Sequence, residues 1–289
     1  MISRRGILVR GLLAAPALAC ARAFAHANPD DIRAGLADLE KAHGGRLGVC
    51  VLDATRGRRI EHRADERFAL CSTHKFLAAA LALIRVDGWE DSLERRVPYA
   101  KDALVTYSPI TEKHVGDGMT LGELCEAALT LSDNTAANLI LESLGGPAGF
   151  TSRVRALGDA VTRLDRIETA LNEAKPGDPQ DTTTPAAMAE NVRKLVLDDV
   201  LSEPSRDQLA SWIVANKTGD KRLRAGLPAG WRVGDKTGTG GNGATNDIAV
   251  VWPPDRGPFV VTAYYAESSA SDVERERVLA EVGRLAAGI

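Results

Sequence analysis

Aromatic residues make up only 4% of this 289-residue chain, and it has no basic excess: 36 Lys and Arg stand against 39 Asp and Glu, a net charge of -3. With so few rings to stack on bases and no positive surplus, nucleic acid is not an expected partner. Cysteine is also sparse. Of the four, Cys20 lies in the N-terminal leader described below, and Cys50, Cys71 and Cys125 have no disulfide-scaffold spacing. The five histidines are scattered, with no HxH or HxxxH pair, so no metal and no cofactor is expected. After Ala27 no apolar run approaches the ~20 residues that a membrane span needs. What is present is a 44% apolar, 26% charged composition, which excludes wholesale disorder and suits a packed globular protein.

The charge is unevenly placed. Arg4, Arg5, Arg10 and Arg22 precede Pro29 with no acid among them. The short apolar run Gly11 to Ala19 and the Ala-x-Ala sites around Ala23 to Ala27 follow. This is the pattern of a secretory signal peptide over residues 1–27, and it implies a periplasmic or secreted protein. Ser3-Arg4-Arg5 also fits a twin-arginine signal, although adjacent arginines occur in ordinary signals too. Removing the leader takes four cations and no anion, so the mature chain carries about -7.

Hydrophobic periodicity gives an α/β pattern. Asn28-Pro29-Asp30-Asp31 opens a helix running to about His43. Arg46 to Asp53 and Arg58 to His62 read as strands. Ser72 to Val86 is apolar nearly all round and reads as a central buried helix. Thr120 to Glu123 is a capping box opening Leu121 to Leu131. Asn134 to Leu144 is a further helix, closed by Gly145-Gly146-Pro147. Asp159 to Thr183 lacks a period and reads as a long loop. Thr184-Pro185 caps a helix to about Leu197, and Gln208 to Val214 is a short one. Trp231 to Thr237, Asp247 to Trp252 and Phe259 to Tyr265 are strands, with Ser271 to Ala287 a closing helix. Two early and three late strands around a helical middle predict an α/β (α+β sandwich) fold. It consists of one antiparallel five-stranded sheet flanked by helices, plus an inserted all-helical domain. The expected division is 28–65 with 215–289 for the sheet and 66–214 for the helical insert, with the active site between them.

Three short motifs carry chemistry. Ser72-Thr73-His74-Lys75 puts a hydroxyl and an amine three residues apart, on one face of a helix. A Lys held neutral by burial can take a Ser proton. At average composition a Ser-x-x-Lys arises about once per such chain, so alone it carries little weight. Ser132-Asp133-Asn134 suits a helix cap equally well as a proton relay and amide donor. Lys-Thr-Gly occurs twice. Lys217-Thr218-Gly219 sits in a turn and reads as structural, with Arg222 beyond it as a functional candidate. Lys236-Thr237-Gly238 lies on a strand, where alternate side chains and backbone amides can line a cleft.

In this order and spacing the motifs resemble the class A serine β-lactamases across essentially the whole mature chain. A fourth element, Arg163 to Asn172 running on to Asp181, resembles that family's omega loop, about 163–181. Tyr107-Ser108-Pro109 resembles its cleft-edge segment. The resemblance implies a monomeric hydrolase of penicillins and cephalosporins, conferring resistance to them. It makes Ser72 the nucleophile and Lys75 its proton partner. Glu168 and Asn172 hold the deacylating water, with Glu168 as base. Ser132 protonates the leaving nitrogen, and Asn134 binds the substrate amide. Lys236, Thr237 and Thr239 hold the substrate carboxylate. The amides of Ser72 and Thr239 form the oxyanion hole, with Gly238 and Tyr107 also lining the site. Arg166 and Asp181 clamp the loop ends.

The departures from the family pattern are informative. Thr169 stands where Pro is common, after a peptide bond that is often cis in the family. Ala79 replaces a Cys that many members bridge to the position of Cys125. Gly240 replaces the Cys that pairs with Cys71 in carbapenem-hydrolysing members, so no disulfide is expected. No Arg follows on the strand after Lys236-Thr237-Gly238, which makes Arg222 the candidate for that charge. A penicillin-binding peptidase shares the first three motifs but usually lacks the Glu168–Asn172 pair. A β-lactam sensor should carry membrane spans and deacylate slowly.

Overall fold

The computed structural model describes residues 28–289; the signal-peptide reading, with its export route and Cys20, lies outside the described residues. Along β1 (Arg46–Asp53), Leu47, Val49 and Val51 face one side, Cys50 and Leu52 the other, and all are buried. A strand apolar on both faces requires cover on both. The other strands are β2 (Arg59–His62), β3 (Phe68–Ala69), β4 (Arg96–Val97), β5 (Met119–Thr120), β6 (Thr182–Thr183), β7 (Arg232–Thr239), β8 (Thr245–Trp252) and β9 (Phe259–Ala266). Five of them form one antiparallel sheet in the order β2-β1-β9-β8-β7. The predicted sheet is therefore present, and its late strands start or end up to two residues from the expected limits.

One face is covered by α1 (Pro29–His43), with Ile32 and Leu36, and by α8 (Leu223–Gly226) and α9 (Asp272–Ala286). The other packs on α2 (His74–Asp87), α3 (Leu121–Thr130), α4 (Asn134–Ser143), α5 (Gly146–Ala156), α6 (Pro185–Val196) and α7 (Glu203–Val214). The caps expected from sequence form. Asn28 accepts from Asp30 N, Thr184 accepts from Ala187 N, and Thr120–Glu123 makes a reciprocal capping box. In α2 every residue from His74 to Leu83 is buried, so this helix is the centre around which the others pack.

Three expectations are corrected. The segment Ser72 to Val86 is not one helix. Its start is a 3-10 turn, Cys71–Thr73, and the α-helix begins at His74. Gly145-Gly146-Pro147 does not only close α4; it also opens α5, because Pro at the first turn suits a helix start and Gly145 takes φ 91°. Finally, α7 begins at Glu203, capped by Ser202 with Pro in its first turn, well before Gln208. The long loop survives as irregular chain, interrupted by a 3-10 turn at Ala170–Glu173 and by β6.

Edge strand β7 faces the Cys71–Thr73 turn. Gly238 makes this approach feasible: a Cβ there would lie 3.0 Å from Leu70 O and 3.2 Å from both Cys71 Cβ and Thr73 Cγ2. Cys50, Cys71 and Cys125 are free and buried. Among the described residues no helix is long and apolar enough to cross a membrane.

Candidate active site

A cleft of about 290 Å3 opens where β7, the Cys71–Thr73 turn, the start of α4 and the omega loop meet. Ser72, Tyr107, Ser132, Asn134, Asn172, Arg222, Thr237, Gly238 and Thr239 line it, together with Thr218. Lys75, Glu168 and Lys236 lie beneath the surface and are buried. The folded chain thus gathers all twelve site residues singled out from sequence. Tyr107, 56% exposed, stands at the rim.

Glu168 is the hub. Its Oε1 accepts from Ser72 Oγ at 3.2 Å and lies 3.0 Å from Lys75 Nζ, while Oε2 accepts from Asn172 Nδ2 at 2.5 Å. Ser72 and Lys75, three residues apart in the chain, meet on this shared carboxylate oxygen. Burial pushes the Glu168 carboxyl up, but the charge of Lys75 and hydrogen bonds from Lys75 and Asn172 hold it below its ordinary 4.5. For Lys75 burial dominates over the attraction of Glu168, and its amine sits below the usual 10.5.

Ser132 bridges two lysines. Its Oγ accepts from Lys75 Nζ at 3.2 Å and from Lys236 Nζ at 3.1 Å. Lys75 also donates to Ser132 O (2.8 Å) and Asn134 Oδ1 (2.5 Å). Burial and the neighbouring Lys75 charge push Lys236 well below its ordinary value. Asp133 is the helix cap that the alternative reading required. It accepts from Ala136 N, Ile110 N, Thr111 N and Thr111 Oγ1, and so fixes Ser132 and Asn134 on either side. Ser132 itself takes φ 61°.

Arg222 reaches the cleft from behind β7. It donates to Gly238 O, Asn246 O and Thr239 Oγ1, each at 2.8 Å. The first Lys-Thr-Gly copy is more than the structural turn expected from sequence. Thr218 lines the cleft, and its hydroxyl lies 2.6 Å from Thr237 Oγ1 while donating to Asn216 Oδ1. The two copies are brought side by side because α7 ends at the strand that carries the second. Asn138 was also missed. Its Nδ2 donates to Glu168 O and its Oδ1 accepts from Glu168 N, both at 2.9 Å. Its place one turn beyond Asn134, on the same helical face, was the available signal. At the loop ends, Arg166 Nε meets Asp181 Oδ2 at 2.5 Å, and Asp181 Oδ1 accepts from Asp165 N and Arg166 N. The Glu168–Thr169 peptide bond is cis.

A serine hydroxyl on a buried carboxylate, two buried lysines and a second hydroxyl bridging them, at the mouth of a sheet edge, have the makings of an acyl-transfer site of the serine type. A family model described as the beta-lactamase enzyme family matches residues 31–288. The chain is 48% identical over 274 residues to Beta-lactamase OXY-2 of Klebsiella oxytoca, covering 95% of this chain and 94% of that one. It is 47% identical over 298 residues to Beta-lactamase L2 of Stenotrophomonas maltophilia, covering 99% and 98%. Among solved structures, the ancestral (GNCA) class A β-lactamase superposes with a TM-score of 0.87 at 66% identity, covering 88% of this chain and 98% of that one. The chain belongs to the class A serine β-lactamases, enzymes that hydrolyse β-lactams.

Proposed function

We propose that this enzyme opens penicillins and cephalosporins through an acyl-enzyme on Ser72, and that water activated by Glu168 releases the product. The substrate carboxylate docks on Lys236, Thr237 and Thr239, with Arg222 holding Thr239 from behind. Asn134 takes the side-chain amide of the substrate. Ser72 Oγ attacks the lactam carbonyl carbon, and its proton passes to Glu168 Oε1, 3.2 Å away, or to Lys75, whose amine lies 3.0 Å from that same oxygen. The oxyanion is received by the amides of Ser72 and Thr239, each such donor being worth about 3–4 kcal/mol in comparable hydrolases. The C–N bond breaks, and the nitrogen takes a proton from Ser132, which Lys75 and Lys236 resupply. Water between Glu168 and Asn172 then attacks the ester carbonyl, Glu168 taking its proton; the ester C–O bond breaks and the Ser72 oxygen leaves with a proton returned to it.

The observation that carries this reading is the Glu168 carboxylate facing Ser72 Oγ at 3.2 Å with Asn172 on its other oxygen. A peptidase or sensor that keeps its acyl group has no need of that arrangement. In the same reading, 28–65 with 215–289 forms the sheet domain and 66–214 the helical domain, the seam between them being the cleft. The enzyme acts outside the cytoplasm, behind a leader at 1–27. Nitrocefin turnover by wild type and Glu168→Ala tests the mechanism. Wild type turns over rapidly, while Glu168→Ala traps an acyl-enzyme detectable by intact mass. A stable acyl-enzyme in wild type would overturn the hydrolase reading.

A further inference from the structure

We propose that the imidazole of His74 is a positioning residue that holds the Ser72 amide in place as an oxyanion donor. The inference rests on the mechanism above, in which Ser72 N and Thr239 N receive the oxyanion.

His74 opens α2 directly after the Cys71–Thr73 turn and is wholly buried. Its backbone N–H donates to the Cys71 and Ser72 carbonyls, and its ring Nδ1 lies 2.8 Å from the same Cys71 oxygen. A carbonyl oxygen only accepts, so the ring proton is on Nδ1. Nε2 is then bare, and it is buried with no hydrogen-bond partner. A polar atom stranded in this way is costly. The contact that sets it apart from a space-filling ring is the one to the carbonyl next to the nucleophile.

The consequence follows from the planarity of the peptide bond. The Cys71 C=O and Ser72 N–H belong to one rigid trans unit and point in opposite directions. Two donors from His74 draw the Cys71 oxygen toward the protein interior, where Cys71 is 0% exposed. The Ser72 N–H is thereby turned toward the cleft that Ser72 lines. The turn needs this restraint, because Cys71 takes φ 45°, a left-handed conformation unfavourable for a residue with a side chain. The charged groups facing the ring are Glu168, whose Oε1 is 4.0 Å from Nδ1, and Lys75 and Lys236. Burial, with the lysines opposing a further positive charge, brings the ring down to about 4, so it is neutral at pH 7.

The test compares wild type, His74→Phe and His74→Asn, with Ser72→Ala as control. The side-chain amide of Asn can present a donor near the place of Nδ1–H; Phe keeps the volume without it. The readouts are the acylation rate with nitrocefin, its KM, the affinity for benzeneboronic acid and the melting temperature. Expected for His74→Phe is a loss of about ten- to a hundredfold in acylation rate and a parallel loss in boronate affinity. Its KM and melting temperature should change little, and His74→Asn should recover most of the rate. Unchanged acylation and boronate affinity in folded His74→Phe would overturn the proposal. Turnover surviving in Ser72→Ala would instead overturn the underlying mechanism. Should His74→Phe not fold, nitrogen NMR of the wild-type ring decides: an Nδ1–H tautomer is expected, and an Nε2–H tautomer would overturn the proposal.

Discussion

Glu168 keeps a negative charge, and Lys75 and Lys236 keep amines, on side chains that are buried. Withdrawing such ions from water costs several kcal/mol each, so each must be paired or hydrogen-bonded. Here the pairing is the chemistry: Ser72, Lys75 and Asn172 all close on one carboxylate, and Ser132 lies between two amines. Arg222 illustrates the same point for binding. Its three donors at 2.8 Å point to three separate acceptors, a fit for a planar fork and not for an ammonium. Removal of this charge-assisted support by Arg222→Ala should raise KM for carboxylate-bearing β-lactams about tenfold, with a smaller fall in kcat. Arg222→Lys should not restore it. Steady-state kinetics of both variants would check this.

Two elements hold these residues in register. Strand β7 must come close to the Cys71–Thr73 turn, and Gly238 is the position that permits it. Gly238→Ala would force Leu70 O, Cys71 and Thr73 apart from the strand, so nitrocefin kcat/KM should drop by about tenfold or more with a stability loss of about 1–3 kcal/mol. Parallel kinetics and urea unfolding would show whether the two fall together. The omega loop is the second element. Its closing carboxylate, Asp181, is fully buried and receives two backbone amides and the Arg166 guanidinium. Asp181→Ala strips two buried backbone amides of their acceptor and leaves Arg166 only its outer partners Glu173 and Asp178, at a cost of about 1–3 kcal/mol. Because Glu168 and Asn172 ride on the same loop, deacylation should slow more than acylation. A pre-steady-state burst absent from wild type and present in Asp181→Ala would reveal it.

For the molecule as a whole, the first helix is tied to the edge of the sheet by charge as well as by packing. Glu40 of α1 binds His62 of β2, Arg63 and the Leu47 amide of β1. Burial pushes its carboxyl up, but the hydrogen bonds from Arg63, His62 and Leu47 outweigh this and hold it at about 2, against an ordinary 4.5. A carboxyl lowered in the folded state contributes stability that is complete above pH 4.5 and is lost as pH falls through about 2. Melting temperature should therefore decline over that window, and Glu40→Gln should flatten the decline while lowering stability at pH 7. Much of this architecture was legible in the sequence. Caps at Asn28, Thr120 and Thr184 marked helix starts, a short apolar run marked β1, and three motifs with one loop marked the site. Such signals are local, set by backbone hydrogen bonding and side-chain period, and a linear chain carries them in full. The 3-10 turn under Ser72, the opening of α5 at Gly146, the partnership of Thr218 with Thr237 and the grip of Asn138 on Glu168 were not legible. Each depends on which surfaces meet once distant segments pack, and close packing places side chains by contacts that no local pattern encodes. The sequence by itself determined the elements, the reactive groups and their order. Only the tertiary structure decided that Ser72 and Lys75 share one oxygen of Glu168, because that oxygen arrives from a loop nearly a hundred residues away.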